Sequence, residues 1–229
     1  LKQDSIDNIS SLIITSVLIF LLVYPKLILK GQGQEYNLQQ KIIVLSKIIA
    51  SDDFRKLKES NKDIALIDSL FTLSLRINRD NISEALLSLT FACLPYDNMP
   101  LTIPYINSRI NIPLPAANKI IFKKKLLNLP SHFLSDSPTS NFGDMDKLPH
   151  YFGSAFIAYN FPSTNFALFS GIFIELFESV FKVEGGLDER DVIVDHLGIQ
   201  FGRILREDIK YKPSILLKFY CHLFSIIKY

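Results

Sequence analysis

Asp188-Glu189-Arg190-Asp191-Val192-Ile193-Val194-Asp195-His196-Leu197-Gly198-Ile199-Gln200-Phe201-Gly202-Arg203-Ile204-Leu205-Arg206 is the stretch whose pattern sets the fold class. Its apolar residues run almost all round a helical period, and one stripe departs from them. Asp191, Asp195, Gly198 and Gly202 fall at i, i+4, i+7 and i+11, so two carboxylates and two residues without side chains share a face. Asp188 offers a helix start, with Asp191 three residues on in a position like that of a capping box. Gly198 and Gly202 form a GxxxG spacing, which lets two helix backbones approach closely. The striped face is expected to look inward, toward protein.

The same arrangement recurs upstream. Residues 164 to 182 predict a helix, stopped by Gly185-Gly186, with Gly171, Glu175, Glu178 and Lys182 on one face amid phenylalanines and leucines. An earlier helix opens at Asp146 as its cap. It tolerates Pro149 because first-turn N–H groups have no helical partner, and it ends at Phe161 before Pro162. Its stripe is Lys147, His150 or Tyr151, Ser154 and Ala158. Ionisable groups in such apolar helices turn to an interior or a wet cavity and find partners there. The three stripes therefore predict a polar cluster inside a module spanning 146–206. Gly171, Gly198 and Gly202 are its packing positions, and the 164–182 helix is expected against the 188–206 helix at Gly198 or Gly202.

Asp146-Lys147-x-x-His150-Tyr151 with Ser154-Ala155, then Gly171-x-x-x-Glu175, Asp188-x-x-Asp191 and Gly198-x-x-x-Gly202, resembles the pattern of the YfiM-like predicted periplasmic lipoproteins. More distantly it is similar to the VanZ-like membrane proteins. The resemblance covers about the last third of the chain and implies a small helical domain of the cell envelope, on the periplasmic side. This chain departs from the lipoprotein pattern in having no cysteine after its N-terminal apolar run.

That run, Leu12 to Tyr24, has the length of a signal-peptide core. A full span needs about 20 residues and is reached only by including Pro25 and Lys26. An uncleaved hydrophobic anchor over 1–30 is the expectation. Over 34–129 a helical region with a Pro-rich extended end is expected. Leu38, Ile42, Leu45, Ile49, Ile64, Ile67 and Phe71 recur at helical spacing, and Ser51 is placed to cap a helix at Asp52-Asp53. Asn78 to Asn81 reads as a turn, and a further helix runs from Ile82 to Cys93 before Pro95. Four prolines between Pro100 and Pro115, with alternating isoleucines, predict an extended or hairpin segment over 101–114. Residues 130–145, rich in Pro, Ser, Asp and Asn, read as a surface linker. A basic and apolar terminal helix, interfacial or packed, is expected over 207–229, carrying Lys218 and His222 behind Lys210 and Lys212.

The 229 residues, 48% of them apolar and 12% aromatic, are ample for a core, and the mean hydropathy of +0.21 reflects apolar residues bunched into runs. The 25 basic and 23 acidic side chains are interspersed and leave a charge of +2, so nucleic acid is not an expected partner. Cys93 and Cys221 have no metal-ligand spacing and read as small apolar residues.

Two chemical constellations stand out. His150, Glu175, Glu178, Asp191 and Asp195 offer the hard oxygens and one imidazole that suit a divalent metal. His150 could act as general base toward Ser154, one turn away, with Glu175 as an orienting carboxylate. Against them stand structural readings. Asp188 and Asp191 serve as helix-start residues, Lys182 pairs with Glu178, Ser154 is a close-packing residue, and His196 lies on another, solvated face. The sequence is read as a mainly α, membrane-associated helical bundle of the cell envelope, without a resident cofactor. Its partners would be membrane lipids and a larger membrane protein assembly, and its role would be packing against a membrane protein or binding a lipid-like ligand. The alternative reading is a metal-assisted hydrolase acting on a lipid or cell-wall precursor.

Overall fold

Short polar side chains, Asn37, Ser51 and Asn81, set three of the four described helix starts in the first half of the chain. In the computed structural model, which describes residues 36–103, 108–113, 116–161 and 189–227, Asn37 opens α1 (Leu38–Ile49) with a reciprocal capping box. Its side chain accepts from the Gln40 amide at 2.8 Å, and the Gln40 side chain accepts from the Asn37 amide at 2.9 Å. Ser51 accepts from the Phe54 amide at 3.2 Å to open α2 (Asp52–Ser60), as the sequence predicts, with Asp52 and Asp53 favourably placed in the first turn. α3 (Asp63–Ile77) passes into α4 (Ile82–Cys93) through the expected turn, where Arg79 and Asp80 adopt left-handed backbone with φ of 53° and 62°.

The extended segment is an antiparallel hairpin. β1 (Asn98–Ile103) pairs with β2 (Ser108–Pro113), running from Asn98 opposite Pro113 to Ile103 opposite Ser108. After it comes α5 (Lys119–Asn128), which the sequence reading does not foresee, capped by Asn118 accepting from the Ile121 amide at 3.0 Å. α6 (Lys147–Asn160), α7 (Glu189–Glu207) and α8 (Ser214–Ile227) complete the described elements. The expected 1–30 anchor and the expected 164–182 helix, with Gly171, Glu175 and Glu178, lie outside the described residues. Among the described residues no helix is long and apolar enough to cross a membrane.

Three expectations need correction. Residues 130–145 are a surface loop only in part: 138–142 are exposed, but Phe133 and Leu134 are buried and Asp144 is wholly so. Composition misleads there because the polar residues of the segment bond inward. Asp63 Oδ2 accepts from the Ser131 and His132 amides at 2.7 Å each, and Asp144 Oδ2 accepts from the Phe133 and Leu134 amides at 2.9 and 3.0 Å. Second, residues 146–206 do not start a separate core. Phe201 of α7 stacks on Tyr151 of α6 at 5.6 Å and meets the edge of Phe71 of α3 at 5.3 Å, so one apolar interior joins both halves. Tyr151 then donates to the Pro213 carbonyl at 3.1 Å and ties in the approach to α8. Third, the side chain of Asp146 does not cap α6; it turns to Lys147 Nζ, 2.9 Å away.

Candidate functional site

Two of the three stripes read from the sequence lie on described helices and face each other. On α6, Lys147, His150 and Ser154 stand at i, i+3 and i+7; on α7, Asp191, Asp195, Gly198 and Gly202 stand at i, i+4, i+7 and i+11. The absent side chains make the approach close. A Cβ at Gly198 would collide with the Tyr151 carbonyl oxygen and come within 3.1 Å of Ser154 Cβ, and one at Gly202 would collide with the Ala155 carbonyl. Gly198 and Gly202 are thus crossing residues, and the backbone they admit is that of α6, where the sequence reading places the 164–182 helix.

Close approach at the glycine end brings the ionisable ends together. Lys147 Nζ lies 2.6 Å from Asp191 Oδ1. His150 donates from Nδ1 to Asp195 Oδ1 at 3.2 Å, and its Nε2 lies 3.6 Å from Asp191 Oδ1. Ser154 Oγ donates to the same Asp195 Oδ1 at 2.7 Å. Lys147, His150, Ser154 and Asp195 are all buried, and Asp195 Oδ2 has no hydrogen-bond partner among the described residues. Burial lowers the pKa of His150, but the Asp195 hydrogen bond and the charges of Asp195 and Asp191 outweigh it and leave the imidazole above its ordinary value.

Arg190, the residue before Asp191, serves a second cluster. It pairs with Asp144 and places Nε 3.3 Å from Asp136 Oδ2. Ser137 also donates to Asp144. Neither Asp136 nor Asp144 is marked by any helical stripe, so only the tertiary fold reveals this second knot. Tyr96 is a further neighbour that the sequence does not point to. Burial raises the pKa of its hydroxyl, and the charges of Asp146 and Asp191 push the same way against Lys147. His196 is exposed on another face, as expected.

The geometry limits the chemistry. The Ser154 hydroxyl proton points to Asp195 and not to His150, so the order of a nucleophile–base–acid relay is not formed. Lys147 occupies the Asp191 oxygen that lies nearest His150. Among the described residues no three His, Cys, Asp or Glu side chains form a group that could hold a metal ion. The arrangement is suited to locking two helices by charge: two cations, once His150 is protonated, face three carboxylates in a space closed by backbone contact. No family model, curated protein or solved structure matches this chain.

Proposed function

We propose that this chain is a membrane-associated cell-envelope protein with a structural or binding role, resting on the bilayer through α8 while the α6–α7 lock keeps the bundle rigid behind it. The outer face of α8 carries this reading. Ile215, Phe219 and Leu223 recur at i, i+4 and i+8 and are all exposed, Phe219 by 60%. Lys218 and His222 are exposed beside them, and Lys210 and Lys212 precede the helix. Leu217, on the opposite side, is buried.

A helix of 14 residues is too short to span a bilayer. An apolar row flanked by lysines suits the boundary between headgroups and acyl chains, where large side chains leave water and basic groups meet phosphates. The apolar run from Leu12 to Tyr24 supports the same location. The resemblance of the last third of the chain to YfiM-like lipoproteins supports placing it on the periplasmic side.

Because the sequence contains no tryptophan, Phe219→Trp supplies a single indole reporter. Its emission should shift to shorter wavelength on adding phosphatidylglycerol-containing vesicles and be quenched by lipids with brominated chains. An emission spectrum that vesicles leave unchanged would overturn the reading.

A further inference from the structure

Among the described residues, α5 presents a second outward face of different character. One lysine roots the helix: Lys125 is buried, donates from Nζ to the Leu94 carbonyl at 2.8 Å at the end of α4, and lies 4.5 Å from the centre of the Phe122 ring. Lys58 Nζ also holds the helix end, donating to the carbonyls of Leu127 and Leu129 at 3.1 and 2.6 Å. With Lys125 inward, Lys119, Ile120, Lys123, Lys124 and Leu127 all face out, and Ile120 and Leu127 are exposed by 72% and 77%. Apolar side chains that open to water are unusual on a helix whose own lysine is buried.

Along the chain, the charge that flanks α5 is of one sign. From residue 98 to residue 135 the sequence has no Asp or Glu, while Arg109, Lys119, Lys123, Lys124 and Lys125 fall within it. The overall charge of +2 conceals this segregation.

We propose that the outer face of α5 is a second bilayer contact, one that selects anionic phospholipids: Lys119, Lys123 and Lys124 meet headgroup phosphates while Ile120 and Leu127 enter the acyl boundary. The proposal rests on the bilayer reading above but on a different helix and a different observation. A lipid surface accounts for both the lysines and the interleaved aliphatic side chains. Single-stranded nucleic acid accounts for the lysines alone, since the one aromatic of α5, Phe122, is half-buried beneath Lys125 and offers no open platform for a base.

The full chain carrying Leu127→Trp tests this. Its emission should shift to shorter wavelength and be quenched by brominated lipids with phosphatidylglycerol-containing vesicles, and not with phosphatidylcholine alone. Adding K119Q, K123Q and K124Q together should raise the lipid concentration at the midpoint on the order of 100-fold, about fivefold for each lysine. Because these positions are exposed, the triple variant should keep the far-ultraviolet circular dichroism of the parent. An unresponsive Leu127→Trp, or a midpoint unmoved by the triple substitution, overturns the proposal. A Leu127→Trp signal that polyuridylate changes and vesicles do not would overturn it in favour of nucleic acid. If Leu127→Trp responds while Phe219→Trp stays silent, the α5 contact stands and the α8 reading falls; the reverse result removes α5 and keeps α8.

Discussion

His150 sits where a proton has structural weight. Burial opposes its charge, but Asp195 and Asp191 overcome that opposition, with Lys147 partly against them, so the folded-state pKa lies above the ordinary value of 6.5. Stability from this group is therefore complete below about pH 6.5 and fades as pH climbs through the raised value. The wild-type melting temperature should be higher at pH 6 than at pH 8, and His150→Gln, which keeps polarity but cannot gain charge, should flatten that slope. Thermal melts of both proteins across the interval check it; equal slopes would detach His150 from the lock. His150, Ser154 and Asp195 were legible in the sequence because helical spacing alone aligns them with their neighbours. Asp146 was misread because an acid before a helix resembles a cap, and only tertiary structure shows Lys147 claiming it. The Arg190–Asp144 pair, 46 residues apart, left no local periodic trace.

At the scale of elements, the α6–α7 crossing depends on what is missing from two residues. Gly198→Leu should be more damaging than Ile199→Leu. The first drives a side chain into the Tyr151 backbone, which cannot rotate away, and overpacking of even flexible surroundings costs about 1 to 3 kcal/mol. The second, at a buried apolar position, conserves volume and should cost less than about 1.5 kcal/mol. Denaturant titration of the two variants measures the difference, and equal midpoints would mean that the helices can separate at little cost. The stripe on α7 was readable because its glycines interrupt an apolar helix in register. α5 was not, because it inverts the usual signal: Lys125 points in and Leu127 points out. A reading that assigns lysines to solvent and leucines to the core finds no consistent face there.

Over the whole molecule, residues 129 to 145 act as a strap across the two halves, and Asp144 is its fastening. Asp144→Asn should cost about 1.5 to 3 kcal/mol, the range for a hydrogen bond to a charged group, because the wholly buried carboxylate loses its charge while Asp136 stays beside Arg190. A urea melt gives the loss, and limited proteolysis should show new cleavage between residues 129 and 145. A variant as stable and as protease-resistant as the parent would reduce the strap to a surface loop after all. Composition hid this segment, since Pro, Ser and Asp signal a loop whether their polar groups turn to water or to buried amides. The helical class and the hairpin were legible from periodicity and proline spacing; the joining of both halves in one interior was not, because it depends on contacts between distant residues. One such contact is the hydrogen bond from the Ser214 amide to Asp68 Oδ1, at 2.8 Å and 146 residues of separation. During synthesis α3 must leave the ribosome long before its partner exists, so Asp68 and the apolar face around Phe71 wait uncovered while most of the chain is still being made. Closure of this face therefore waits until the residues around Ser214 have emerged, whatever has folded before them.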